Sequence, residues 1–372
     1  MTFESPCYLD HNATTPLRPE AAEAMALAAT QCGNPSSVHS FGRAARRMVE
    51  DARRKFAALV SARPDEIVFT SGGTEANNLA LRGCGRRRVL VSAVEHPSVL
   101  EAAEGIETVP VDSDGIVDLA ALTRMLDGGD SSAVVSIMLA NNETGVIQPV
   151  AEAAHIAHQK GALIHCDAVQ AAGRLPLDIH ALGVDMLTLS AHKLGGPTGV
   201  GALVVTDRVH LNPIVRGGGQ ERGRRSGTEN LPGIAGFGAA AAVAVAEIET
   251  APAVANLRDR LEHRLVRDIP WAIIVGAGAR RLPNTSCVAL PGIAAEIQVM
   301  ALDLAGFAVS AGSACSSGKV KTSHVLQAMG LGEDIAGCAI RVSLGPGNDD
   351  SDIASFIAAY REFASRAGSS AA

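Results

Sequence analysis

The chain has 372 residues, 47% hydrophobic and 19% charged, enough for a sizeable core in two domains or one large one. A formal charge of −7 and a pI near 5.9 argue against nucleic acid or an anionic membrane as the main partner. Aromatic residues are only 3%, so the core must come mainly from Ala, Val, Leu and Ile.

The start, "MTFESPCYLD", has neither the basic residues nor the apolar centre of a secretory signal. The longest apolar stretch, "LPGIAGFGAAAAVAVAEIE", is glycine-interrupted and acid-terminated, short of the ~20 apolar residues of a membrane span. Seven cysteines without a C-x-x-C pair suit a reducing compartment, with the cytoplasm the expected location, rather than a disulfide framework or a structural zinc site.

Along the chain, Arg43, Arg46, Arg47, Arg53 and Arg54, then Arg86 to Arg88, read as solvated helix faces and loops. Short apolar runs come next: "EIVFT", "RRVLVSA", "ETVPV", "AVVSIMLA", "GALIHCDA", "DMLTLSA" and "GVGALVVT". They are apolar on both faces, as strands of a mostly parallel, doubly covered sheet are. Amphipathic stretches such as "VAEAAHIAHQKG" separate several of them, and strand–helix alternation means an α/β sheet with crossover connections. A helix around 236–248 leads to a charged helix, "VANLRDRLEHRLVRDI", and then the pattern changes. Strands are expected at "SCVALPG", "FAVSAGSAC" and "AIRVSLG", and a domain boundary near residue 250. The closing "ASRAGSSAA" reads as a frayed tail.

In open α/β sheets chemistry collects beyond the carboxyl ends of strands. There, "IVFTSGGTEANNLAL" gives Ser-Gly-Gly and a helix beginning at Thr74, either an anion site or a plain N-cap. "SAVEHPSVL" sets His96 before Pro97, which opens a helix. "HCDAVQ" places Asp167 just past a strand over 162–166, with Gln170 a helical turn on; the carboxylate could simply cap the next helix. His155 and His158 share a helix face, but no third metal ligand is evident. "DMLTLSAHKLGGPTGVGAL" puts Lys193 in a glycine-rich break between two apolar runs. "GGGQERGRRSGTEN", with Arg222, Arg224 and Arg225, reads as a loop. A phosphate-binding helix start, a carboxylate, a histidine, amides and a lysine are together what pyridoxal phosphate requires. The amine forms the Schiff base, and the carboxylate keeps the pyridinium nitrogen protonated.

These turns, with "YLDHNATTP", "GNPSSVHSFG", "NNETG", "GSACSSG" and "IRVSLG", succeed one another in order across nearly the whole chain. In that order the sequence closely resembles the cysteine desulfurases of the class V aminotransferase group, of the nitrogen-fixation and iron–sulfur-cluster type. The resemblance implies pyridoxal-phosphate fold type I: a large domain over 16–249 with a mostly parallel seven-stranded sheet between helices. A smaller α+β domain would comprise 1–15 and 250–372.

It further implies Lys193 as the cofactor lysine, Asp167 as the pyridinium partner, Gln170 as donor to the ring phenolate and His96 as the residue stacked on the ring. Thr74, Ser190, His192 and the Gly73 backbone would hold the phosphate. Thr228 would reach the phosphate of the opposite subunit, making the enzyme a homodimer. Asn142 would lie beside the ring, and Asn34 and Arg341 would take the substrate carboxylate. Cys315 would attack the sulfur of L-cysteine, become a persulfide and pass sulfur to an iron–sulfur scaffold or other acceptor protein, releasing alanine. No resident metal is implied; Cys315 would ligate an iron–sulfur cluster only as cargo. Twenty-six positions separate Cys315 from Arg341, as in the long-loop group, and its small polar neighbours suggest that part of 314–325 opens at low free energy. Ala191 departs from the glycine of many relatives. A selenocysteine lyase or an aminotransferase would use the same pocket without needing Cys315.

Overall fold

The computed structural model describes residues 6–127, 132–312 and 322–370. After a two-residue strand β1 (Cys7–Tyr8) come β2 (Ile67–Thr70), β3 (Arg88–Ser92), β4 (Glu107–Val109), β5 (Ala133–Ser136), β6 (Leu163–Asp167), β7 (Met186–Ser190) and β8 (Gly201–Val205). β2 to β8 form one sheet in the order β2-β8-β7-β6-β5-β3-β4, and they are the seven strands expected from sequence. Pairs from β4 through β7 are parallel, while β8 runs antiparallel to both β7 and β2. The residues of β2, β5, β6, β7 and β8 are buried throughout, because helices cover both faces.

On one face the helices Pro19–Ala29, Ser40–Leu59 and Leu231–Glu247 pack in an alanine-rich core. Its few rings cluster: Phe56 meets Phe237 at 4.8 Å and Phe69 at 6.3 Å between centroids. Leu231–Asp268, an almost continuous helical stretch, is long and apolar enough by length and composition to cross a membrane, but half of its apolar window is buried inside the fold. The other face is covered in part by the helix Gly73–Gly83, through Ala76, Leu79 and Ala80.

Beyond residue 250 the chain forms β9 (Ile273–Val275), β10 (Thr285–Ala289), β11 (Phe307–Ala308), β12 (Ser310–Ala311) and β13 (Ala339–Ser343). Four of these make an antiparallel sheet in the order β12-β13-β10-β9, and β11 pairs in parallel with β1. A separate core lies under it, with Leu257, Leu261, Leu265, Phe356 and Tyr360 from the helices Ala251–Asp268 and Asp350–Ser370. That last helix carries the tail, expected to fray, on to Ser370.

Arg53 corrects the expectation of solvated arginines. It is 5% exposed, gives Glu221 two bonds of 2.9 and 2.8 Å, and lies 4.8 Å over the Phe69 ring. Glu221 also accepts from the Phe69 amide at 3.0 Å, which ties the glycine- and arginine-rich loop to β2. Removing one partner of a buried pair strands the other charge, so Arg53→Ala should cost about 3–5 kcal/mol. A loss of unfolding free energy in urea of less than about 1 kcal/mol would show that the pair does not hold this loop.

Candidate active site

Because β8 alone runs against the rest, Thr70, Ser92, Ser136, Asp167 and Ser190 all end their strands at one edge of the sheet. The loops that leave there enclose a cavity of about 390 Å³. Gly73, Thr74, His96, Asn142, Asp167, Gln170, Ser190, His192, Lys193 and Arg341 line it, ten of the residues singled out from sequence.

The start of the helix Gly73–Gly83 forms one wall. Its N-cap is Gly72, without a side chain, so Thr74 is not the cap and no side chain satisfies the first turn. Uncapped amides and the helix dipole favour an anion there. Space is tight around the start: a Cβ at Gly73 would meet Val169 Cγ2 at 3.1 Å, and one at Gly201 would lie 2.7 Å from the Gly72 Cα. His192, two residues after Ser190, lies 3.3 Å through Nδ1 from Thr14 Oγ1; burial, then Lys193, pushes its pKa down to about 4.

Asp167 is the last residue of β6 rather than the first beyond it. One oxygen accepts from the Val169 amide at 3.0 Å, so it does brace the adjoining turn. The other accepts from Asn77 Nδ2 at 2.7 Å, and that amide also reaches Ser98 Oγ at 2.9 Å. Asn77 went unremarked in the sequence although it stands in a quoted turn, "GGTEANN". His96 caps the short helix Pro97–Leu100, its Nδ1 accepting from the Ser98 amide at 3.1 Å. Desolvation lowers its pKa, Lys193 and His324 adding to the effect and Asp167 opposing it. Gln170 lies in a turn rather than a regular helix and donates through Nε2 to the Asn12 carbonyl at 3.0 Å.

Lys193 ends a single 3-10 turn, Ala191–Lys193. Its Nζ donates to the carbonyls of Asn12 at 2.6 Å and Ala13 at 2.7 Å. Burial pushes its pKa from 10.5 down to about 7, with Arg341 and Arg174 helping and Asp10 and Asp167 opposing. Arg341, on β13, gives Nη2 to Asp10 at 2.7 Å and Nη1 to the Asn142 carbonyl at 3.0 Å, while its buried Nε has no partner among the described residues.

Asn34 and Thr228 are exposed and do not line the cavity. Cys315 lies outside the described residues, as does most of 314–325. Of that stretch, Ser323 is 1% exposed and caps the helix His324–Ala328. His158 lies 3.0 Å from Asp185, and no cluster of three His, Cys, Asp or Glu suited to a metal occurs among the described residues.

The profile of the class-V aminotransferase family matches residues 7–356. A cysteine desulfurase of Cereibacter sphaeroides is 48% identical over 352 residues, 91% of this chain and 90% of that one. A cysteine desulfurase of Gluconacetobacter diazotrophicus is 46% identical, over 93% of this chain and 90% of its own length. The crystal structure of a NifS-like protein from Rickettsia africae superposes with a TM-score of 0.89 at 39% identity, covering 96% of this chain and 99% of that one. With this match in sequence and in fold, the chain belongs to the class-V aminotransferase family, among its cysteine desulfurases.

Proposed function

We propose that the protein is a pyridoxal-phosphate-dependent L-cysteine desulfurase that moves the sulfur of cysteine onto Cys315 and releases L-alanine. One observation carries the proposal. A lysine amine held near neutrality shares a cavity with a braced carboxylate and an uncapped helix start. The relatives' shared name favours this activity over a selenocysteine lyase or an aminotransferase.

The residues fit the cofactor. Gly73 leaves the space that a side chain would fill, and the open amides of the first turn, with Thr74, Ser190 and His192, suit a phosphate. Asp167, oriented by Asn77 and the Val169 amide, would face the pyridinium nitrogen. His96 would stack on the ring, Asn142 would lie beside it, and Gln170 would donate to its phenolate. When bound, pyridoxal phosphate supplies an aldehyde for the Lys193 amine and a ring that takes up the electrons left when the α-proton departs.

Lys193 is the base for that α-proton, since an amine with a pKa of about 7 is in good part unprotonated at neutral pH. Arg341 would receive the substrate carboxylate through its unpartnered Nε, with Asn34 as a second donor. The Cys315 thiolate attacks the substrate sulfur; the C–S bond breaks and its electron pair stays with the carbon skeleton, which becomes alanine by gaining one proton at the β-carbon and taking one back at the α-carbon. His96 is the candidate proton carrier.

Thr228 faces outward, as a residue that serves a partner subunit's phosphate must. Exposed Leu27, Val38 and Phe41 offer apolar surface near Asn34 for a homodimer. Residues 16–249 would act as the cofactor unit, and 1–15 with 250–372 as the unit bearing Cys315. An iron–sulfur scaffold or another acceptor protein would take the sulfur, and the unpaired cysteines suit a cytoplasmic setting.

Lys193→Ala should leave no cofactor fixable by borohydride and should lose turnover by at least ~100-fold. Peptide mapping that finds the reduced cofactor on another lysine would refute the assignment. Cys315→Ser should stay yellow and respond spectrally to cysteine, yet release neither sulfide nor alanine at the parent rate. Parent-like desulfuration by that variant would rule out the persulfide route.

A further inference from the structure

Glu143 comes directly after Asn142 on the cavity wall and is 3% exposed. A buried carboxyl is costly unless its oxygens are engaged. Here one oxygen is engaged by Ser323 and lies close against Gly312. Ser323 Oγ donates to Glu143 Oε2 at 2.5 Å, and a Cβ placed on Gly312 would lie 2.7 Å from that same oxygen. Gly312 and Ser323 frame residues 313–322, the stretch that contains Cys315.

Each framing residue is itself fixed. The Gly312 amide donates to the Ala339 carbonyl on β13 at 3.4 Å. Ser323 Oγ, while donating to Glu143, accepts from the Leu326 amide at 3.1 Å and so caps the helix His324–Ala328. His324 Nε2 lies 2.9 Å from the Glu95 carbonyl. Glu143 is held in turn, its amide and that of Thr144 donating to Asn141 Oδ1 at 2.8 and 3.0 Å. A rigid strand-end turn thus presents a single oxygen to both ends of the stretch.

We propose that Glu143 is a positioning residue for sulfur transfer, its Oε2 setting the place of the chain at Gly312, on the cavity wall, and at Ser323. The role rests on the desulfurase reading, in which the Cys315 thiol has to meet a cavity-bound cysteine. Burial pushes the Glu143 carboxyl up to about 7, with Ser323 and Arg341 opposing; among the described residues, Cys287 also feels its charge. A carboxyl oxygen accepts from Ser323 with or without the proton, so contact rather than charge is what the role needs. Glutamine keeps that contact and alanine loses it.

The test compares holoenzymes: parent, Glu143→Ala, Glu143→Gln, Gly312→Ala and the Glu143→Ala/Gly312→Ala double variant. Four readouts apply: cofactor content, the spectral change on adding cysteine, single-turnover persulfide on Cys315 by alkylation and mass spectrometry, and hydrogen exchange of residues 322–328. Glu143→Ala should bind cofactor and cysteine like the parent, exchange faster at 322–328 and load Cys315 at least ~10-fold more slowly. Glu143→Gln should load within about threefold of the parent, well short of that loss. Gly312→Ala should be slow, and the double variant no slower than the worse single one, because both substitutions disturb one contact. Parent-rate loading by Glu143→Ala, a glutamine variant as slow as the alanine one, or independent effects in the double variant would each overturn the role. A parent that loads no persulfide overturns the desulfurase reading, and this role with it. Should Glu143→Ala fail to fold, Ser323→Ala removes the same bond from the other side, and parent-rate loading there is equally fatal.

Discussion

An ammonium group prefers water, and this fold takes water away from Lys193. The cost is visible in its surroundings: two guanidiniums, Arg341 and Arg174, help burial to drive the proton off, while among the described residues two main-chain carbonyls accept from the amine. A lysine held this way is poorly suited to stabilising a fold and well suited to acting as a nucleophile or base. Much of the site's architecture serves that amine.

The carbonyls come from Asn12 and Ala13, next to the N-terminal strand that pairs with β11. Asn12 is fixed to the smaller sheet as well, its amide donating to Ser343 Oγ at 2.9 Å and its Nδ2 to Thr285 Oγ1 at 2.9 Å. Asn284 Nδ2 donates to Asn12 Oδ1 at 3.1 Å. Asn12 therefore couples the second sheet directly to the amine on the first. Arg341 couples them again, since it lies on β13 and bonds the carbonyl of Asn142 beyond β5. Movement of the smaller sheet would be felt at Lys193, at Arg341 and at the Glu143 turn together.

The range of an interaction decides whether the sequence reveals it. The seven strands of the large sheet were legible because burial on both faces writes itself into consecutive apolar residues. The site's turns were legible because ligands gather where such strands end. The resemblance to a family sharpened roles but did not supply contacts. Asn77, Asn12 and Glu143 were missed, although each stands in a quoted turn, because their partners are far along the chain: Asp167, Lys193 and Ser323. The Arg53–Glu221 pair was hidden the same way, and arginines on a charged helix gave no sign that one was buried. β9 escaped notice as a three-residue edge strand whose Ile273 is exposed. Asn34 and Thr228 lie outside the single chain's cavity, which therefore gives no contact for the roles that the resemblance implied for them.

The account stands on the state of one amine, which titration can read directly. In cofactor-free protein with isotopically labelled lysines, the Lys193 side-chain resonance, assigned by its loss in Lys193→Arg, can be tracked from pH 5 to 11. Desolvation among arginines predicts a midpoint of about 7, with the amine protonated below it and free above it. A midpoint near 10.4, that of an ordinary solvated lysine, would contradict the account.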